Sequence, residues 1–532
     1  MVEVGMTPAE VLKSMGETPA KCFPFLADRG TIEVGKRADL VLVEGNPTPN
    51  ISACRKIKQV WVKGRSSERH CACTNFLCHF VTFNGKLKYF SKKVCNFVTE
   101  ILNYMLQLDL FPTLYAVEET QNSTTFQDNM KLPLHRWYRY TAGFSGAWVG
   151  SLIEKGKLEG RHRVIDPFAG SGTVMVESML HGVDSYGIES NPYVYNIATA
   201  KLQWNDFDSE YLMHESIDVL KRARTKAIDR TEFPDLIAKC FPLDTLQKLE
   251  ALKLSCYEIE DEKLRNFVWF VITSILRSTS PVGTAQWQYI QPKKSKSKVL
   301  DPFTAYQEKL SEIFEDMQRL RDIFGKKSHS EVLREDARHI NSVPDKWADM
   351  VITSPPYANN YDYADAMRLE MLFWNDINGW KDLQDTVSVN LIRACTQHVS
   401  TLKDTVGDYL ASPFLSPIRD EIAEKYALLK DERENHGGKK NYHMMIAAYF
   451  YDMAQVFYSL SRVTAPNCKM CFVIGDSAPY GIYIPVDEWL GRLAQAAGFN
   501  DYSFEKLRDR NTKWKNRKHR VPLKEGRLWI NK

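Results

Sequence analysis

Asp349-Met-Val-Ile-Thr-Ser-Pro-Pro-Tyr357 reads as a short buried strand over 350–353 that stops at two prolines, since neither proline can donate to a sheet ladder. Ser354 and Tyr357 are thereby held at the strand's carboxyl end, the edge where ligands bind in an open α/β sheet. A hydroxyl, a proline carbonyl fixed by the rigid Pro355-Pro356 pair, and an aromatic ring form a coherent set there. The Ser354 hydroxyl and the Pro355 carbonyl can accept hydrogen bonds from an exocyclic amine, and the Tyr357 ring can stack on the planar base that carries it. A plain strand followed by a Ser-Pro-Pro turn is the alternative, because short motifs recur by chance.

Upstream, Val164-Ile-Asp-Pro-Phe-Ala-Gly-Ser-Gly-Thr173 gives a second buried strand and a glycine loop. Gly170 and Gly172 let the backbone turn tightly and approach a ligand, and a helix starts at Thr173, with Gly182 beyond its end. A further strand over 185–188 runs into Glu189, the position where a nucleotide-binding βαβ unit grips a ribose diol. The third glycine of a dinucleotide fingerprint is absent, and no Gly-Lys-Ser/Thr follows to cradle phosphate. Asp166, ahead of the loop, can instead hold an ammonium group. Before this unit, Pro133-Leu-His-Arg-Trp-Tyr-Arg-Tyr140 and Phe144-Ser145 read as a basic, aromatic lead-in to a helix, lying over a cofactor with Arg136 and Arg139 near phosphate.

Together Asp166-Pro-Phe-Ala-Gly-Ser-Gly-Thr173 and Thr353-Ser-Pro-Pro-Tyr357 resemble the amino-methylating DNA methyltransferases, which act on the exocyclic amine of cytosine or adenine. The resemblance covers about 132–532 and implies an α/β, Rossmann-like, S-adenosylmethionine-dependent methyltransferase sheet. It implies Ser354, Pro355, Pro356 and Tyr357 as catalytic, and Asp166, Phe168, Gly170, Gly172, Thr173, Glu189, Phe144, Ser145 and Asp336 as binding S-adenosyl-L-methionine. In the family an acid matching Asp336 contacts the cofactor adenine. The implied substrate is DNA with a flipped base, alongside a cognate restriction or defence partner. Ser at position 354 leans towards N4 of cytosine. The glycine loop preceding Ser-Pro-Pro-Tyr is common among N6-adenine enzymes. RNA or protein-glutamine methylation and a non-enzymatic DNA-binding role are further alternatives. The families acting on RNA or protein glutamine usually place Asp or Asn before the prolines. Methylation at ring carbon would need a Pro-Cys nucleophile, a dipeptide this sequence lacks.

The 532 residues allow more than one domain, and 44% hydrophobic with 26% charged residues is ordinary for a globular protein. A net charge of +4 leaves nucleic-acid contact to local basic patches such as Lys293-Lys-Ser-Lys-Ser-Lys298, read as a flexible loop, and Lys513-Trp-Lys-Asn-Arg-Lys-His-Arg520. No apolar run reaches membrane-span length and no signal-peptide pattern opens the chain, so the expected location is cytoplasmic, without membrane contact. Inserts at 206–330 and 375–440, helical at 246–254, 264–276 and 421–434, are candidate target-recognition regions within a 131–532 methyltransferase domain. Further sheet strands are expected over 469–476 and 527–531, with a helix over 484–499.

The first 66 residues differ in character. Gly30-Thr-Ile-Glu-Val-Gly-Lys-Arg-Ala-Asp-Leu-Val-Leu-Val-Glu-Gly45 and Val60-Trp-Val-Lys-Gly-Arg65 resemble the C-terminal tail of amidohydrolases, whose strands join a small β-sandwich. The barrel and its metal ligands are missing, and no His precedes His70, which implies a non-catalytic β fragment. Residues 67–130 read as a linker with a packing helix at 98–110. His70, Cys71, Cys73, Cys78 and His79 fall within a dozen residues with Cys95 the only nearby extra, where a metal site usually needs two ligand pairs at turn-like spacings, and in Cys468-x-x-Cys471 the second cysteine sits inside an apolar strand. The 11 cysteines, an odd number spread through what reads as a cytosolic enzyme, are read as mostly free thiols, and no metal is expected.

Overall fold

The computed structural model describes residues 7–15, 36, 40–44, 46–48, 57–62, 65–66, 126–140, 143–284, 290–323, 328–399, 402, 406–438, 440–510 and 521–532. The chain divides into two compact units, Met1–Tyr104 and Met105–Lys532. In the first, helix Pro8–Met15 accompanies a three-stranded sheet of β1 (Leu40–Val43), β2 (Ile57–Val62) and β3 (Arg65–Ser66). β1 and β2 pair antiparallel, Leu40 opposite Trp61, as the two apolar runs predict. The His70–His79 cluster, the 98–110 helix and the basic stretch 513–520 lie outside the described residues.

The second unit is built on a seven-stranded sheet. Its strands are β4 (Arg163–Asp166), β5 (Asp184–Ile188), β8 (Ser330–Leu333), β9 (Ala348–Thr353), β10 (Thr464–Gly475), β11 (Asp501–Arg510) and β12 (Leu523–Asn531). Their spatial order is β11-β12-β10-β9-β4-β5-β8. β10, β9, β4, β5 and β8 run parallel, while β12 pairs antiparallel with β10 and with β11. The chain winds outward from β4 through β5 to β8 on one side, then restarts at β9 and winds the other way. The seam between β4 and β9 is therefore a topological switch point, where their carboxyl ends open a crevice.

Side-chain alternation explains why these strands are central. Val164 and Ile165 are both fully buried but belong to different cores, and so do Ile352 and Val351. Successive residues of a strand point to opposite faces, so a strand covered on both faces must be apolar throughout. One face carries helices Gly146–Leu158, Thr173–Leu180 and Pro192–Leu202. Helices Tyr442–Val463 and Val486–Ala496 cover the other.

Both inserts contribute to these cores. Leu249, Phe267, Phe270 and Ile313 pack with Trp137 on the first face, and Ile392, Leu415, Ile422 and Leu429 pack with Met445 and Phe450 on the second. The expected flexible loop at 293–298 is corrected in part. Ile290–Ser295 is β7, paired antiparallel with β6 (Val282–Thr284), and the Lys296 ammonium donates to the Arg277 carbonyl. That pairing satisfies backbone groups a free loop would leave to water. Among the described residues no helix is long and apolar enough to cross a membrane.

Candidate active site

The sheet places the two diagnostic stretches side by side. Asp166 ends β4 and Thr353 ends β9, and the Thr353 hydroxyl donates to Asp166 Oδ1 at 2.5 Å. The same oxygen accepts the Phe168 N–H at 2.9 Å. Asp166 is fully buried, and Oδ2 has no protein partner. Desolvation pushes its carboxyl up to about 7, against the pull of Thr353 and Phe168.

From Asp166 the chain enters the glycine loop. Gly170 and Gly172 have φ of 52° and 81°, left-handed values at which a side chain is strained. A Cβ on Gly170 would lie 3.1 Å from the Tyr140 ring, and one on Gly172 3.2 Å from Ala198 Cβ. Three bonds hold the loop: Ala169 N–H to the Ile188 carbonyl at 2.9 Å, Gly170 N–H to Glu189 Oε2 at 3.0 Å, and Lys201 Nζ to the Ser171 carbonyl at 2.7 Å. Glu189 also accepts the Asn191 N–H at 2.8 Å. Desolvation carries its carboxyl to about 7 despite these bonds, and brings the Lys201 ammonium down to about 7.

A cleft, partly open to solvent, lies over this loop. Of the candidates named from sequence, Phe144, Phe168, Gly170, Thr173, Glu189, Asp336, Ser354 and Pro356 line it. Asp166, Gly172, Ser145, Pro355 and Tyr357 do not. Asp166 and Gly172 shape the loop from beneath, and Ser145 caps helix Gly146–Leu158 by accepting the Trp148 N–H at 3.4 Å. Asp336 is clamped by the Arg338 guanidinium, Nη2 to Oδ2 2.5 Å. Arg136, expected near phosphate, is instead engaged by Asp316 through two bonds of 2.6 and 3.0 Å. A paired guanidinium facing a buried carboxylate is not available to a phosphate.

At the β9 end, the Ser354 hydroxyl donates to the Val473 carbonyl at 3.4 Å, which leaves its oxygen lone pairs as acceptors. The Tyr357 N–H donates to the Tyr363 hydroxyl at 3.2 Å. The Arg510 guanidinium lies over the Tyr357 ring, 5.3 Å from its centroid, a cation–π pair that brings the end of β11 to the site. Cys468 and Cys471 are buried, their thiols pushed up by desolvation.

Several residues here escaped sequence reasoning. Tyr140 and Thr353 lay inside the quoted stretches and carried a signal. Asn191, Lys201, Arg510 and the cleft-lining Asn390, Leu391 and Ile392 carried none.

Comparison with known proteins gives two separate matches. The amidohydrolase family model matches residues 1–66. Type II methyltransferases match over most of the chain. M.BsoBI of Geobacillus stearothermophilus is 25% identical over 75% of this chain and 85% of its own length. M.AvaI of a Nostoc species is 27% identical over 71% and 81%, and M.MvaI of Kocuria varians 22% over 69% and 82%. No solved structure matches. The chain is thus similar to Type II methyltransferases over about 70% of its length, and its first 66 residues resemble amidohydrolases.

Proposed function

We propose that this chain is an S-adenosylmethionine-dependent DNA methyltransferase that methylates an exocyclic amine, N4 of cytosine. The observation that carries the proposal is the 2.5 Å bond between Thr353 and Asp166, which joins the glycine loop and the Ser-Pro-Pro-Tyr stretch at one cleft. Similarity to Type II methyltransferases supports the reaction class. The strand order, with an antiparallel β12 inserted beside β10, supports a Rossmann-like methyltransferase sheet within a 131–532 domain. Residues 1–66 are a non-catalytic accessory, and the segments at 206–330 and 375–440 are the candidate target-recognition regions.

The residues present fit the cofactor. Asp166 offers a buried oxygen without a protein partner, suited to an ammonium group. Gly170 lines the cleft, where a Cβ would press on the Tyr140 ring, and Gly172 lets the loop pack closely on Ala198. Glu189 suits a ribose diol, Asp336 and Phe168 the adenine end. When bound, S-adenosylmethionine supplies an electrophilic methyl group. The chain's own residues do the rest. The amine nitrogen of a base is a poor nucleophile because its lone pair is delocalised into the ring. Ser354, its own hydrogen turned to Val473, and the Pro355 carbonyl accept from that amine and favour a more tetrahedral nitrogen. Tyr357, with Arg510 over its ring, stacks on the flipped base. Positioning and electrostatics suffice, with no covalent enzyme intermediate.

The second reading is N6 of adenine, favoured by the order of the two motifs along the chain. Incubation of duplex DNA with the enzyme and S-adenosylmethionine, followed by mass spectrometry of the nucleosides, tests the proposal. N4-methylcytosine is expected. Methylated adenine alone moves the assignment to the second reading, and methyl transfer to RNA or protein but not DNA overturns it.

A further inference from the structure

Beyond Ser-Pro-Pro-Tyr, three side chains of metal-ligating chemistry that have no part in the proposed methyl transfer converge in the interior. They are Asp362, Cys395 and His398, whose ligand atoms all lie within 4.8 Å of one another. Cys395 is fully buried, and the His398 and Asp362 side chains are 1% and 4% exposed. His398 Nε2 is 3.4 Å from Asp362 Oδ1. Asp362 Oδ1 is fixed by the Ala364 and Asp365 N–H groups at 3.0 and 3.1 Å, so the carboxylate is held in place.

We propose that Asp362, Cys395 and His398 bind a divalent transition-metal ion of the zinc class. Thiolate, imidazole and carboxylate are zinc's ligand set, whereas magnesium and calcium prefer oxygen alone. Two ligand atoms about 2.0 Å from an ion and 3.4 Å apart subtend roughly 115° at it, near the tetrahedral angle zinc adopts. Three protein ligands leave a fourth position for water. On binding, the Cys395 S–H bond gives way to a sulfur–metal bond and the proton leaves to solvent.

The site would act as a clip. Asn360 already joins the same two segments, its N–H donating to the Ala394 carbonyl at 3.1 Å and its side-chain oxygen accepting the Thr396 N–H at 2.8 Å. One segment carries Tyr363, which accepts the Tyr357 N–H. The other carries Ile392, which lines the cleft. An ion at Asp362, Cys395 and His398 would lock the segment beyond the prolines to the insert that walls the cleft.

Elemental analysis of the full chain, purified from zinc-supplemented culture without chelator, tests the proposal. Because His70–His79 also holds thiols, the background carries Cys71→Ser, Cys73→Ser and Cys78→Ser. Roughly one zinc per chain is expected there, and a fall of about tenfold or more on adding Cys395→Ser and His398→Ala. If those two substitutions prevent folding, cobalt loading of the background chain decides the matter: a thiolate-to-cobalt charge-transfer band supports the site. A background chain that holds neither zinc nor cobalt overturns the proposal, as does a soluble ligand variant that keeps its zinc.

Discussion

Thr353 and Asp166, 187 residues apart in sequence, meet at the carboxyl ends of two adjacent parallel strands and share a hydrogen bond of 2.5 Å. The bond ties the end of β9 to the start of the glycine loop. Replacing Thr353 with Val keeps the shape and removes the donor. Cofactor affinity should fall by about tenfold, since a hydrogen bond to a charged group contributes roughly 1.5–3 kcal/mol. Thr353→Ser should recover most of the loss. Calorimetric titration checks both, and equal affinity of Thr353→Val and wild type would remove the proposed role of this bond.

A pH dependence follows from the carboxyls of Asp166 and Glu189, both carried to about 7 by desolvation. Between about pH 4 and pH 7 the folded, cofactor-free protein binds more protons than the unfolded chain. The contribution of these two groups to stability is therefore present below pH 4 and lost as pH rises through 7. Binding runs the opposite way. A cationic cofactor favours ionised carboxylates, so affinity should rise with pH up to about 7 and then level. Titrations across pH 5 to 8 check this. Affinity that falls as pH rises to 7 would contradict it.

The glycine loop tolerates little. Gly170→Asp places a charged side chain at φ 52° against Tyr140, and cofactor binding should be lost while circular dichroism stays native. Lys201→Met removes the fully buried donor that holds the Ser171 carbonyl. Its effect should be weaker cofactor binding, with a loss of about 1–3 kcal/mol from the unsatisfied carbonyl. Unchanged cofactor affinity in both variants would detach the loop from the cofactor.

Much of this architecture is legible along the chain, for a physical reason. A strand buried on both faces must be apolar, and Pro-Pro or a glycine turn must end it, so β4, β9 and the residues at their tips can be read locally. The partners of those residues cannot. Arg510 reaches the Tyr357 ring only because β11 pairs with β12 and β12 with β10. Arg136 looks like a phosphate ligand until helix Pro302–Ile323 brings Asp316 to it. Lys201 sits in an apolar helix with no local sign that its ammonium turns inward to the Ser171 carbonyl. Each of these depends on long-range packing that leaves no periodicity in sequence.

Substitutions at the base side should separate chemistry from cofactor binding. Ser354→Ala and Tyr357→Ala should each lower the methylation rate by about tenfold or more and change cofactor affinity little, because the contacts proposed for them are to the base. Single-turnover rates set beside calorimetric affinities check this. A loss confined to cofactor affinity would move both residues out of base recognition.

Removal of residues 1–66 should leave methyl transfer intact, since the two stretches assigned to cofactor and base, Asp166–Thr173 and Thr353–Tyr357, lie outside that segment of the sequence. Activity lost in a truncated chain that folds and binds cofactor would give the segment a part in DNA engagement.

Mass spectrometry of nucleosides from DNA incubated with the purified enzyme and isotopically labelled S-adenosylmethionine tests the central claim most directly. Label in N4-methylcytosine, appearing about tenfold or more slowly with Ser354→Ala, is the expected result. Label absent from every DNA nucleoside, with cofactor binding demonstrated in the same preparation, would contradict amino methylation of DNA by this chain.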